Sequence, residues 1–229
     1  MSSKLDAVDR PRRWPFRAAV AVLILALAGV LGGAAWLVWG TPPTARAQAT
    51  ALVQQWRSTC STAVPQPSSP MTTRRTNQAS SAAPGSVLGV LRLPALGDDV
   101  WPILVGVDAD QLTRGVGWYP STGKAGQAGN MALAGYRLGY GQPFKEILAL
   151  RRGDVVIVEL CQVSYTYQII VAPSELAVSA DASWVLDAVP GDPGHLPTEA
   201  LLTLTANQDL LPTSDRAVGI ARLVGSAPK

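Results

Sequence analysis

The chain is poor in the residues from which metal and redox sites are built. Its 229 residues include two cysteines, Cys60 and Cys161, and one histidine, His195. The cysteines lie far apart and belong to no Cys-x-x-Cys motif, and His195 sits in a Pro/Gly-rich stretch. A tetrahedral zinc site takes four N or S ligands at close spacing. This inventory cannot supply them without carboxylates, so neither a metal nor a cofactor is expected. Charged residues are also scarce, at 15%. The net charge of +3 invites a nucleic-acid partner until the chain is divided. Residues 87–229 hold 10 basic and 14 acidic side chains, so that part is mildly acidic and offers no basic stripe for phosphates. No nucleic acid is expected.

The positive charge lies elsewhere. Lys4, Arg10, Arg12, Arg13 and Arg17 precede an uncharged run from Ala18 to Gly40. Such a run is long enough to cross a hydrocarbon core of roughly 30 Å as a helix. Trp14 and Phe16 on one flank, with Trp36 and Trp39 on the other, suit the aromatic belts of the two interfaces. Basic residues tend to stay on the cytoplasmic side. The expectation is a basic cytoplasmic N-terminus (1–17), a single-pass signal anchor (18–40) in the plasma membrane, and an extracytoplasmic remainder. A cleaved signal peptide is the competing possibility, with an A-x-A-like triplet at Ala45-Arg46-Ala47. Signal-peptide apolar cores usually span only about 7–15 residues, which favours a retained anchor.

Residues 41–86 read as a spacer. A short juxtamembrane helix is expected around Ala45–Arg57. Residues 58–86 are rich in Ser, Thr, Pro, Ala and Gln, and cannot bury enough apolar surface to offset the entropy of ordering them. A flexible tether is expected there. In an oxidising compartment Cys60 and Cys161 are a possible disulfide; the alternative is two independent thiols.

From Val87 onward the pattern changes to short apolar runs bounded by Gly, Pro and Asp. Strands are expected at 87–93, 100–107, 130–134, 154–159, 164–171, 201–205 and 217–223. Only 108–113 and 143–148 suggest helix. Many short strands at this spacing indicate an all-β closed barrel or sandwich. No internal repeat or phosphate-binding glycine loop is visible.

The stretch GNMALAGYRLGYGQPFKEILALRRGDVVIVE (129–159) resembles class E sortases of Gram-positive actinobacteria. In that family the strand runs close to GN-x-A-x-AGHR, followed by YG-x-PF and a Lys/Arg-x-GD turn. PSELAV, VPGDPG and LLTLTANQD follow in the same order, resembling a strand that ends L-T-L-T-T-C. The upstream WYPSTGKAGQAGN is similar to the family's lead-in. The resemblance covers roughly residues 87–224 and implies an eight-stranded sortase β-barrel over 87–229.

It also implies a chemistry. Sortases are cysteine transpeptidases that cut a sorting signal and pass the acyl fragment to an amine. A thiolate attacks the carbonyl, a histidine moves protons, and an arginine stabilises the oxyanion. Carried over by position, the histidine falls on Tyr136, the cysteine on Asn207 and the arginine on Arg216. Asn207 has no nucleophilic atom. A free phenol loses its proton only near pH 10, so a tyrosine is a poor proton shuttle. The expectation is a pseudo-sortase that binds a sorting-signal peptide or another envelope protein. The alternative is an active transpeptidase or hydrolase of surface proteins using other residues. Arg216 would hold a peptide oxygen in the groove, or pair with Asp215 or Asp209. Tyr140, Thr205 and His195 are further groove candidates, although Thr205 with Thr203 equally fits strand packing and His195 a solvated loop.

Overall fold

Val155–Glu159 and Val163–Val171 show how the sheet is built: β-branched and aromatic residues alternate about turns that carry Gly, Asp or Gln. The computed structural model describes residues 43–62, 83–207 and 214–229. The proposed membrane span and most of the Ser/Thr/Pro-rich stretch lie outside the described residues. Among the described residues no helix is long and apolar enough to cross a membrane.

Among the described residues there are nine strands: β1 (Val87–Arg92), β2 (Val100–Val105), β3 (Val116–Trp118), β4 (Gly129–Ala134), β5 (Val155–Glu159), β6 (Val163–Val171), β7 (Ala177–Ser179), β8 (Ala200–Asn207) and β9 (Asp215–Pro228). Eight of them close into a barrel in the order β6-β5-β1-β2-β3-β4-β8-β9, with β9 pairing back onto β6. The ninth, β7, pairs with the first residues of β9. Closure removes the open edges that would otherwise invite strand addition. The pairs β2–β3 and β4–β8 are parallel, and the other neighbours are antiparallel.

Sequence had not marked β3 or β7. Each is three residues long, too short for an alternation to register. A helix, α1 (Pro43–Thr62), precedes the barrel; the helical expectation at 108–113 shrinks to the four residues of α2 (Ala109–Leu112), and 143–148 becomes a 3-10 turn at Ile147–Ala149.

Leu91, Ile103, Met131, Leu133, Phe144, Tyr167, Leu202 and Leu204 fill the barrel interior, all with little or no exposed surface. A second apolar cluster lies on the outer face of β8 and β9. There Val185, Val218 and Ile220 pack with Leu176, Val178 and Leu186 from the connection between β6 and β8.

The main departure from expectation lies before the barrel. Helix α1 spans Pro43–Thr62 and is part of the same compact unit, which begins at Thr41. The helix expected around Ala45–Arg57 therefore runs on to Thr62, past the expected start of the tether at 58, while β1 begins at Val87. Ala45, Ala49, Val53 and Trp56 recur at helical spacing and are buried, Trp56 and Val53 against Val90 of β1. The Ser/Thr-rich last turns have poor helix propensity, but tertiary packing and local bonds override it. Hydroxyls of Ser58 and Thr59 donate to the Gln55 carbonyl, and that of Ser61 donates to the Arg57 carbonyl. A disulfide joins Cys60 to Cys161, with Cα atoms 5.1 Å apart. The Ser/Thr/Pro-rich stretch thus connects two points already fixed on one unit.

Glu159 closes this region electrostatically. Its side chain is only 10% exposed and pairs with Lys229 and with Arg92. Burial pushes its pKa up, but the bonds and charges of Lys229 and Arg92 outweigh this and hold it below 4.5. A depressed carboxylate contributes stability above its unfolded pKa and loses it as pH falls through the folded value. The urea midpoint should therefore fall on acidification below about pH 4.5, and fall less steeply in Glu159→Gln. Equal slopes in the two proteins would remove Glu159 from this role.

Candidate functional site

The parallel register of β4 and β8 sets Ala134 beside Thr205. The ladder continues one step further, the Gly135 amide donating to the Thr205 carbonyl at 3.1 Å. Beyond it, Arg137 Nη1 donates to the Asn207 carbonyl at 3.2 Å. On the other side of β8, Asn207 is the antiparallel partner of Arg216 in β9. Arg216 is in turn opposite Val178 of β7. Tyr136, Asn207 and Arg216 therefore gather at one end of the barrel, where β4 and β8 finish and β9 begins.

Alternation along β8 decides where the side chains go. Leu202, Leu204 and Ala206 face the barrel core. Thr203, Thr205 and Asn207 consequently face outward. Directly opposed antiparallel residues share a face, with Cα atoms about 4.5–5.5 Å apart. Asn207 and Arg216 thus project on the same outer side, both partly exposed. Thr205 is buried beneath the outer cluster, and its Oγ1 donates to the Leu133 carbonyl at 3.2 Å. Thr205 acts as a strand bridge rather than a free hydroxyl. Among the described residues Asp215 accepts the Ser214 hydroxyl and forms no ion pair with Arg216, and Asp209 lies outside the described residues.

Tyr136 opens a tight loop. Its carbonyl accepts the Phe144 amide at 3.1 Å, and the Gln142 amide donates to Gly139 at 3.0 Å. Four consecutive residues, Gly139, Tyr140, Gly141 and Gln142, have φ of 70°, 48°, 83° and 55°. For Tyr140 and Gln142 this left-handed backbone costs on the order of 1–2 kcal/mol each. Packing imposes it: Phe144 is fully buried under Gly135, and Gly141 lies against the Trp101 ring. The result brings the Tyr136 and Tyr140 rings to a centroid separation of 5.6 Å, tilted by 39°. Tyr140 is 51% exposed, so the aromatic pair is open to solvent.

Arg137 is the site residue that sequence reasoning passed over. It is 9% exposed and ties the end of β8 to the loop. Its signal was present in the A-G-Y-R phrase, one position after Tyr136. Asn130 was also passed over, although it lies at the other end of β4, opposite Leu201, and its role is structural. It is fully buried, Nδ2 donating to the carbonyls of Val185 and Asp187 while Oδ1 accepts the Thr203 hydroxyl.

His195 and Cys161 lie elsewhere. His195 is an exposed loop residue paired with Asp192, in a shallow pocket that reaches Leu201 at the start of β8. At about 3.3 Å per residue, that point is some 20 Å along the strand from Asn207. Cys161 is in the turn between β5 and β6 and is held in the disulfide. The chain has no other cysteine besides Cys60. Among the described residues, no three His, Cys, Asp or Glu side chains gather as metal ligands. The assembled groups can donate hydrogen bonds from an amide, a guanidinium and phenols to peptide oxygens. They include no thiol nucleophile.

Comparison with known proteins matches this arrangement. Sortase SrtE1 of Streptomyces coelicolor is 30% identical over 161 residues, covering 65% of this chain. The chain spans 44% of that relative's length. The structure of sortase E from Streptomyces avermitilis superposes with a TM-score of 0.57 at 33% identity, covering 64% of this chain and 93% of that one. A crystal structure of Sortase E1 from Streptomyces coelicolor with tripeptide in the active site gives the same TM-score at 28% identity, again over 64% and 93%. The sortase domain profile matches residues 91–224, more than half of the chain and nearly all of the barrel. With a closed barrel in the same strand framework, the chain belongs to the sortase family.

Proposed function

We propose that this protein is a membrane-anchored, extracytoplasmic sortase-family member that does not perform cysteine transpeptidation. It holds a peptide or a protein partner at the cell envelope through the former catalytic end of the barrel. One observation carries this: Asn207 stands opposite Arg216 where a thiol would be needed, and both cysteines are consumed in a bridge away from that end. An amide cannot form an acyl-enzyme, and a bridged sulfur cannot attack a carbonyl.

The rest of the site favours binding over decay. Arg216 and the Asn207 amide share a face, and the strained loop still presents Tyr136 beside Tyr140. The tripeptide bound in the Streptomyces coelicolor relative supports a peptide as the ligand class. The apolar run at 18–40 and the basic cluster before it support anchoring. A disulfide, which persists in oxidising compartments, supports an extracytoplasmic domain.

The test restores the missing pair. Tyr136→His with Asn207→Cys should cleave a fluorogenic sorting-signal peptide, whereas the natural chain should not. Asn207→Cys alone should be slower than the double variant by roughly 100-fold, the usual contribution of a positioned proton carrier. Turnover by the natural chain that disappears in Arg216→Gln or Cys161→Ser would overturn the proposal.

A further inference from the structure

Helix α1 touches two distinct regions of the barrel, one at each end. Its last turns carry Cys60, bridged to Cys161 in the β5–β6 turn. Cys161 is exposed, while Cys60 is half-buried beside Val53 and Trp56. A shallow cavity of about 390 Å³ has both cysteines in its wall, together with Trp56, Arg57 and Lys229. The bridge is therefore open to attack from solvent on the Cys161 side.

The first turn of α1 meets the strained loop. A Cβ on Gly141 would stand 3.1 Å from the Trp101 ring and 4.0 Å from the Ala45 carbonyl carbon. Arg46, next to Ala45, lies over the same Trp101 ring at 5.4 Å and pairs with Asp99. The left-handed backbone of Tyr140 and Gln142 persists only while their neighbours impose it. Trp101 and the start of α1 are among those neighbours. The non-covalent hold of the helix is modest, since two of its four buried apolar residues are alanines. The covalent link at the far end keeps it docked.

We propose that the Cys60–Cys161 bridge is an exchangeable latch through which an envelope dithiol reductant controls the Tyr136–Gln142 loop. A reductant thiolate attacks the exposed Cys161 sulfur, forming a mixed disulfide and expelling the Cys60 thiolate, which takes up a proton. The second thiol of the reductant attacks that mixed disulfide, freeing the Cys161 thiol and leaving the reductant as an intramolecular disulfide. Two electrons and two protons pass to the protein. Reduction releases α1, the loop relaxes at Gly141, and Tyr140 leaves its place beside Tyr136. Access to the Asn207–Arg216 end then depends on the redox state of a bond at the opposite end of α1.

The test is hydrogen exchange on the full chain before and after dithiothreitol in native buffer, with thiols trapped by iodoacetamide. Both cysteines should become alkylated without denaturant. Exchange in 43–62 and in 136–144 should rise roughly tenfold or more, with β4 and β8 still protected. A bridge that resists dithiothreitol until denaturant is added would overturn the latch. So would reduction that leaves 136–144 unchanged, or that strips protection from β4 and β8 together. The Cys60→Ser, Cys161→Ser variant should reproduce the reduced pattern; reduction of the folded natural chain decides the matter if that variant does not fold. These readouts need no ligand, so they succeed or fail independently of the proposed binding function.

Discussion

Asn130→Ala should lower the melting temperature by roughly 6–12 °C, as expected for a loss of about 3 kcal/mol in a domain of this size. The side chain is fully buried and makes three hydrogen bonds. Two of them hold the carbonyls of Val185 and Asp187, and the third receives the hydroxyl of Thr203. Alanine leaves two carbonyls and one hydroxyl without their partner, and the cost of unpaired buried groups exceeds the net gain of the bonds themselves. Thr203→Val removes only one partner and should cost about 1 kcal/mol. The double variant should fall short of the sum, because both act through one network. Asn130→Asp keeps the shape but turns a donor toward two carbonyls into an acceptor, so it should be no milder than alanine. Thermal denaturation followed by circular dichroism checks all four proteins. A loss below about 1 kcal/mol for Asn130→Ala would mean that other contacts hold residues 183–187 in place.

The same network bears on the site. Val185 and Leu186 belong to the apolar cluster on the outer face of β8 and β9. Val178, in that cluster, is the β7 partner of Arg216. Loosening the Asn130 clamp should therefore free the β7 side of Arg216 before it disturbs the barrel interior.

Phe144→Ala should be at least as severe, at about 3–5 kcal/mol. The ring is fully buried in the main core and lies directly over Gly135, where a Cβ would come within 2.6 Å of it. Its amide also closes the loop onto Tyr136. Truncation opens a cavity and removes the plug that holds two non-glycine residues at positive φ. Chemical denaturation should show the stability loss. Hydrogen exchange at 137–143 should rise even where the rest of β4 remains protected. Gly135→Ala approaches the same contact from the other side, since the added methyl must displace the Phe144 ring. It should show the same local loosening with a smaller global loss. Tight protection of the loop in Phe144→Ala would show that Trp101 and α1 hold it unaided.

The expectations that succeeded had repeated local signals behind them. Val155–Glu159 and Val163–Val171 could be read as strands because side chains alternate along an extended chain and one face is buried. A closed barrel or sandwich followed from many such segments with turn residues between them, and the resemblance to sortases pointed to the eight-stranded barrel. Where a segment is short, as in β3 and β7, the alternation has no length in which to appear.

Tyr136, Asn207 and Arg216 could be singled out from the sequence, since motif spacing preserves order along the chain. Their meeting could not be derived from spacing alone. It depends on the parallel register of β4 with β8 and the antiparallel register of β8 with β9, both non-local pairings. Arg137 and Asn130 were missed for the same reason, as their importance lies in carbonyls 70 and 55 to 57 positions away.

Helix α1 marks the clearest division. Composition read 58–86 as a tether, because Ser, Thr and Pro cannot pay the entropy of ordering on their own. Packing of Ala45, Ala49, Val53 and Trp56 on the barrel, with the Cys60–Cys161 bridge, supplies what the local sequence lacks. Sequence alone determined the scarcity of metal and redox residues, the strand-rich character of the domain, and the resemblance that singles out Tyr136, Asn207 and Arg216. Tertiary structure decided which of those residues face one another, that both cysteines are joined far from them, and that helix α1, at the start of the segment read as a spacer, packs on the barrel. The physical reason is that composition and periodicity report each residue's local preference, whereas register, burial and cross-linking arise only when distant segments come into contact.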